Sequence, residues 1–319
     1  MPQNAADKPH ILLSHEMLLP LQPLLESAYA VHRLWDYPDP MTFLEGPGRR
    51  VRAIVHAGEM GLSRDMLSEM NQLGLIACVS VGYDGVDVPW CKAHGIAVTH
   101  STGLNAADVA DHAVGLVLSA WRGIVEGDQR LRAGRWNHAE RMAPRHGLRG
   151  RKVGVVGLGY IGEAVASRLR AFETKVSWWG PRPKESDYPR ADSLMALARD
   201  SDILVVCARP DAGNRHLINK AVIEAVGPQG LIVNVARGSL IDEDALIEAL
   251  KSGALGMAAL DVYEHEPTLP ARWAGVPHTV LTPHTAGATL DSIPAMVNLT
   301  LENLRRYFHG EPLATPVAA

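Results

Sequence analysis

Residues 152–169, KVGVVGLGYIGEAVASRL, constrain the fold more than any other part of this 319-residue chain. A strand-like apolar run ends at Gly157, Gly159 and Gly162 follow at GxGxxG spacing, and a helix-like run begins. In that context each glycine has its own task. Gly157 permits a tight turn, Gly159 lets the backbone approach a pyrophosphate, and Gly162 permits close packing of helix on sheet. Amides at the start of the helix would stabilise the diphosphate charge. The six-letter pattern is weak by itself, because glycine also serves ordinary turns. Its context strengthens it: KVSWWG (175–180), DILVVCA (202–208), LIVNVA (231–236), MAALDV (257–262) and TVLTPH (279–284) follow. Six β-like runs are what a doubly wound dinucleotide-binding sheet requires.

A similar rhythm precedes this region, in ILLSH (11–15), VRAIVHA (51–57) and LGLIACVS (73–80). Alternation of short apolar runs with amphipathic ones indicates parallel α/β architecture. The stretch from Ala106 to about Leu131 lacks Pro and repeated Gly, and reads as one long helix that Asn105 could cap. After His284 a further helical stretch, about 289–308, is too short for a core of its own and is expected to pack on the first domain. The expectation is an α/β protein of two Rossmann-like, doubly wound parallel-sheet domains separated by a cleft. The first is flavodoxin-like, substrate-binding and discontinuous (1–101 plus 288–319), and the second is the NAD(P)-binding domain (102–287).

Composition narrows the function. With 31 basic and 35 acidic residues the formal charge is -4, so no general electrostatic attraction to nucleic acid or acidic lipid is expected. Cys78, Cys91 and Cys207 show neither a disulfide framework nor C-x-x-C spacing, which implies no metal site and a reducing compartment. MPQNAADKPH has no basic-then-apolar signal pattern, and no run reaches the roughly 18 apolar residues of a membrane helix. A cytoplasmic protein with a small-molecule substrate is expected.

The strand after the glycines discriminates between cofactors. NAD sites usually place Asp or Glu about 20 residues beyond the glycines, for the ribose diol. This chain reads VSWWGPRPKE there, with Arg182 and Lys184 where a 2'-phosphate would sit. Arg can grip such a phosphate with a charge-assisted fork, so NADPH is expected to be preferred over NADH. The plainer reading makes both cations solvated loop charges, and Trp178 and Trp179 read as packing or adenine-side surface.

Three further segments place polar residues at the ends of apolar strands: NVARGSLIDEDAL with Arg237, LDVYEHEP with Asp261, Glu264 and Glu266, and LTPHTAG with His284. Ligands bind at the carboxyl ends of strands in doubly wound sheets. Arg237 can bind a carboxylate and polarise an adjacent carbonyl, His284 can donate a proton, and Glu266 can orient the imidazole. Each also has a bland reading, as a surface charge, a satisfied pair or a turn.

Nearly the whole chain resembles the D-isomer-specific 2-hydroxyacid dehydrogenase family, and within it the NADP-preferring glyoxylate/hydroxypyruvate reductases. The resemblance runs through VSVGYDGVDV (79–88), NAADVADHAVGLVLSAWR (105–122), VGLGYIG (156–162), NVARGSLIDEDALIEAL (234–250), AALDVYEHEP (258–267) and LTPHTAGAT (281–289). It implies Arg237 as the substrate-binding arginine, Glu266 as the acid partner and His284 as the acid/base. It further implies that Val81 and Gly82 offer amides to the substrate carboxylate and that Asp261 lies near the nicotinamide carboxamide. Trp136, in the irregular basic segment 132–150, would reach the neighbouring subunit's active site and belong to its substrate pocket. Tyr160, Ile161, Pro210 and Ala236 complete the candidate cofactor contacts. Asp111 stands where the family often has Glu, and Asn214 where many members have Thr; both keep a polar group.

The implied reaction is NADPH-dependent reduction of glyoxylate or hydroxypyruvate to the 2-hydroxy acid, the D-isomer where chiral. The alternatives are a dehydrogenase for another acid, of phenylpyruvate or 2-ketogluconate type, and a catalytically silent nucleotide-sensing corepressor on the same fold. HAGEMGL (56–62) offers no cation except His56, which counts against a phosphorylated substrate. The long helix and the arm after it imply a homodimer, although such a helix could equally be a monomer's spine.

Overall fold

The alternating runs become two fully parallel sheets in a computed structural model that describes residues 8–137, 141–211 and 213–318. The chain divides between Leu104 and Asn105, and again between Thr289 and Leu290, into two compact units.

The first unit holds β1 (His10–Leu13), β2 (Ala30–Arg33), β3 (Val51–His56), β4 (Leu75–Cys78) and β5 (Ala97–Thr99), in the order β2-β1-β3-β4-β5. Strands covered on both faces need apolar side chains at every position, because successive residues point to opposite sides. Ile11, Leu13, Ala53, Val55, Leu75 and Ala77 therefore share one core with Leu304. Leu12, Ile54, Ile76 and Cys78 share the other with Phe43 and Met66. Leu304 belongs to the helix Ser292–His309, so the C-terminal segment returns to this unit. The outermost strands, β2 and β5, carry no comparable signal. AVHR is half-buried throughout and AVT spans three residues.

The second unit holds β6 (Lys152–Val156), β7 (Lys175–Trp179), β8 (Ile203–Val206), β9 (Leu231–Asn234), β10 (Met257–Leu260) and β11 (Thr279–Leu281). Their order is β11-β10-β9-β8-β6-β7, and the six strands coincide with the six apolar runs. Beyond β7 an isolated parallel bridge from Trp178 to Arg190 stands where a doubly wound sheet has another strand. Val153, Val155, Val205 and Val233 pack with Val109, Ala113 and Val117 on one face. On the other, Val156, Leu204, Val206 and Ile232 pack with Leu197, Ile223 and Leu246. Asp111 is tied to Arg168 of the neighbouring helix at 2.6 Å.

The expected single helix from Ala106 is two, Ala106–Trp121 and Ile124–Arg132. Gly123, at φ 63°, interrupts it, because a left-handed residue cannot continue a right-handed helix. Asn105 makes no side-chain cap; its Oδ1 is buried without a hydrogen bond among the described residues. No helix among those residues is long and apolar enough to cross a membrane.

Candidate active site

At the carboxyl end of β6 the three glycines do different work. Gly157 sits at φ 90°, and a Cβ there would lie 2.6 Å from the Ala208 Cα. At Gly162 a Cβ would lie 2.0 Å from the Gly157 carbonyl oxygen, so this glycine lets the helix Tyr160–Arg170 start against the turn. Gly159 is different: a Cβ there would meet nothing within 4 Å. Gly159 is also the N-cap of that helix, whose first amides have no partner within the helix and are the kind of donors a pyrophosphate needs. Tyr160 is 69% exposed, and Ile161 is half-buried. Pro210 lies half-buried in the loop after β8.

The two cations after β7 behave unlike one another. Lys184 donates to the Leu158 carbonyl at 3.1 Å and pairs with Glu163, so it braces the glycine turn. Arg182 is exposed and makes no hydrogen bond or ion pair among the described residues.

Arg237 follows β9 and is half-buried. Its backbone is held by Asn234, whose Nδ2 donates to the Arg237 carbonyl at 2.9 Å while its Oδ1 accepts from the Ala236 amide at 3.0 Å. The guanidinium donates to the Ala236 carbonyl at 2.7 Å. Gly238 then lets this loop lie against its neighbour, since a Cβ there would stand 1.8 Å from the Tyr263 carbonyl carbon.

That neighbour carries Glu266. Its Oε1 accepts from the Tyr263 amide at 2.8 Å, and its Oε2 meets His284 Nδ1 at 2.6 Å. Burial opposes ionisation of Glu266, but the hydrogen bond from His284, the Tyr263 amide and the charges of His284 and Arg237 outweigh it. Its pKa is held below the ordinary value. The charge of Arg237 thus acts on the carboxylate that pairs with His284.

His284 adopts φ 52°, uncommon for a residue with a side chain. Asp261, 1% exposed, maintains it. The Asp261 carbonyl accepts the His284 amide at 2.8 Å, and its carboxylate accepts the amides of Thr285 and Ala286 at 3.0 and 2.9 Å. Thr282 Oγ1 adds a contact at 2.6 Å, and His112 lies 3.4 Å away. Burial raises the Asp261 pKa, but the bonds from His112, Thr282, Thr285 and Ala286 prevail and push it down to about 2.

In the first unit, Val81 and Gly82 are half-buried beyond β4, and their amides make no hydrogen bond among the described residues. The Val81 carbonyl faces His100 Nδ1 at 3.0 Å, and the Gly82 carbonyl accepts from Ser80 at 2.7 Å. Trp136 is 75% exposed; residues 138–140 of the same basic segment lie outside the described residues.

Residues 114–286 match the NAD-binding domain of the D-isomer-specific 2-hydroxyacid dehydrogenases. The chain belongs to that family. It is 36% identical over 308 residues to the hydroxyphenylpyruvate reductase of Plectranthus scutellarioides, covering 96% of this chain and 98% of that protein. It is 35% identical to a glyoxylate/hydroxypyruvate reductase of Arabidopsis thaliana, covering 96% and 98% respectively. Among solved structures, the NADPH-dependent glyoxylate/hydroxypyruvate reductase of Sinorhizobium meliloti, in complex with NADP and malonate, superposes with TM-score 0.90 at 34% identity, covering 98% and 97% of the two chains. The 2-hydroxyacid dehydrogenase of Ketogulonicigenium vulgare Y25 gives 0.89 at 41%, covering 98% of each.

The fold of this 2-hydroxyacid dehydrogenase thus carries a nicotinamide-dependent oxidoreductase site. Sequence reasoning missed the residues that hold its side chains: Asn234, Gly238, Tyr263 and His112. Asn234 and Gly238 were visible as a polar residue and a glycine flanking Arg237 at a strand end. The contacts of His112 depend on distant segments and the bond from the Tyr263 amide to Glu266 on the folding of one loop, and no local pattern announces either.

Proposed function

We propose that this dehydrogenase uses NADPH to reduce small 2-oxo acids, glyoxylate and hydroxypyruvate foremost, to the 2-hydroxy acids, D where chiral. The observation that carries this reading is the His284 Nδ1 to Glu266 Oε2 contact of 2.6 Å, with Arg237 lowering the Glu266 pKa through its charge. A carboxylate on Nδ1 fixes the tautomer and favours imidazolium, leaving Nε2 to exchange the proton. His284 Nε2 donates that proton to the carbonyl oxygen and is left as neutral imidazole, still bonded to Glu266 through Nδ1. Arg237 holds the substrate carboxylate, which keeps the 2-oxo carbon in one orientation, and Val81 and Gly82 are the candidate carboxylate-binding amides of the first unit. Bound NADPH supplies the hydride.

Gly157, Gly159, Tyr160, Ile161 and Gly162 form the pyrophosphate cradle, with Pro210 and Ala236 beside it. The Asp261 Oδ2 accepts only the Ala286 amide among the described residues, so it keeps capacity for a nicotinamide carboxamide. Arg182 is the 2'-phosphate ligand; Lys184 contributes by bracing the turn, and could reach a phosphate only by giving up Glu163. Trp136 completes the substrate pocket of the neighbouring subunit.

The protein acts as a homodimer in this reading. Support comes from the helix Ile124–Arg132, which buries none of its residues in its own protomer and exposes Ile124 and Leu131 at 55% each.

The test is steady-state oxidation of NADPH and of NADH with glyoxylate, hydroxypyruvate, phenylpyruvate, hydroxyphenylpyruvate and 2-ketogluconate. NADPH with the two small acids should give the highest kcat/KM. Arg182→Ala should then cost about 10- to 100-fold with NADPH and leave NADH nearly unchanged, as expected for one charge-assisted contact. Highest efficiency with a larger acid would reassign the substrate. NADPH binding without turnover of any acid would favour the silent nucleotide sensor.

A further inference from the structure

The first turn of the helix Glu243–Ser252 buries a carboxylate, Glu243, at 2% exposure. Acidic residues favour a helix start without losing their hydration, as the adjacent Asp244 does with its side chain 87% exposed. Withdrawing Glu243 from water must be offset by direct bonds. Two donors provide them: Arg272 Nε reaches its Oε2 at 2.9 Å, and the Glu264 amide reaches its Oε1 at 2.5 Å.

The second contact connects to the proposed chemistry. The Glu264 amide is the neighbour of the Tyr263 amide, which donates to Glu266 Oε1 at 2.8 Å. Glu266 Oε2 in turn meets His284. Two successive amides therefore serve two different carboxylates, and the orientation of the first depends on where the second is held. The Glu264 side chain is anchored separately, by Arg215 and by His216 Nε2 at 3.0 Å.

We propose that Glu243 is a positioning residue for the Glu266–His284 pair. Its carboxylate holds the Glu264 amide, and so keeps the Tyr263 amide on one oxygen of Glu266 and the other oxygen on His284 Nδ1. Glu243 touches neither substrate nor cofactor in this scheme. A packing role alone would be met by any side chain of similar volume, whereas only an acceptor satisfies the Glu264 amide. The proposal rests on the reading of His284 as proton donor.

The double variant Glu243→Met/Arg272→Met separates these roles, because replacing a buried ion pair by apolar groups of similar volume often preserves stability while it removes the acceptor. Turnover of hydroxypyruvate with NADPH should fall about 10- to 100-fold in kcat, with the KM for NADPH unchanged within about twofold. Glu243→Gln retains an acceptor for the amide, and should keep kcat within about threefold even if its melting temperature drops through loss of the Arg272 partner.

A readout independent of turnover is the NMR titration of the His284 imidazole, assigned against His284→Ala. Among the described residues Glu266 pairs with that imidazole, Arg237 acts through its charge on Glu266, and the Asp261 carbonyl holds the His284 amide. Releasing Glu266 should lower the His284 pKa by about one unit in the double variant and leave it unmoved in Glu243→Gln. An unaltered His284 titration in the folded double variant would overturn the proposal. A shifted titration in a protein that reduces no 2-oxo acid would uphold the positioning and sink the catalytic reading instead.

Discussion

His284 occupies a backbone conformation that residues with side chains rarely adopt, and three backbone and carboxylate contacts from Asp261 hold it there. Such strain persists where surrounding bonds over-determine it, and aiming an imidazole is a use for it. His284→Ala should therefore remove proton donation while sparing the glycine cradle. The expected result is a loss of about 10²- to 10⁴-fold in kcat, with NADPH affinity by fluorescence titration within about threefold of the parent. Undiminished turnover would assign the proton to another group. Gly238 is constrained in the opposite sense, by what it lacks. A methyl group there would stand 1.8 Å from the Tyr263 carbonyl carbon, and backbone cannot swing aside as a side chain can. Gly238→Ala should cost about 3 kcal/mol in denaturant unfolding and lower kcat as well, because the Arg237 and Glu266 loops must part.

Among the elements, the pair of helices Ala106–Trp121 and Ile124–Arg132 shows how a single glycine redirects a chain. The first helix buries Val109, Ala110, Ala113, Val117 and Ala120 in its own unit; the second buries none of its residues. Beside it runs a groove lined by Leu116, Val125, Val280 and Leu281, along the edge strand β11. An edge strand and an apolar helix face left uncovered are liabilities that a second copy can cover. Ile124→Glu/Leu131→Glu should convert a dimer into a species of 34.5 kDa by light scattering, with secondary structure retained by circular dichroism. A parent protein already at that mass over a range of concentrations would contradict the dimer.

Across the whole molecule, acid should act on the two units in different pH windows. His56, 0% exposed at the end of β3, is pushed down to about 4 by burial, against a bond to the Met60 carbonyl that raises it and the charge of His15 that lowers it further. Below its ordinary value of 6.5 the unfolded chain takes up a proton that folded His56 refuses. Stability is thus lost as pH falls from about 6.5 to about 4, by about 3 kcal/mol. Burial also lowers the pKa of His10, His15 and His32, all in the first unit, in the same direction. Asp261 in the second unit has the reverse sign. Held at about 2 against 3.8, it contributes stability above pH 4 that disappears only as pH falls toward 2. Hydrogen exchange followed from pH 7 to pH 4.5 should show protection falling in β1, β3 and β4 before β8, β9 and β10. Equal losses in both sheets would contradict the assignment.

Both sheets were largely legible in the sequence, because a parallel strand covered on two faces must be apolar at every position and so reads as a run bounded by breaks. The glycine spacing at 157–162 and the polar residues closing β9, β10 and β11 were legible for a related reason: turns and ligand sites demand particular residue types at particular strand ends. Peripheral strands β2 and β5 escaped notice because half-burial or brevity erases the signal, and Gly123 did because one glycine in an apolar stretch does not reveal its φ. Lys184 and Arg182 looked alike in sequence; proximity to Glu163 and to the Leu158 carbonyl separates them. The arrangement around His284 was likewise a tertiary matter. Asp261, Glu266, Tyr263 and Glu243 act through bonds between segments 18 or more residues apart along the chain or through the folding of one loop. Residue types and their periodicity determined which chemistry the chain could carry. Only the packing of one strand end against the next decided which atoms meet, because hydrogen bonds depend on distances of about 3 Å that spacing in sequence does not encode.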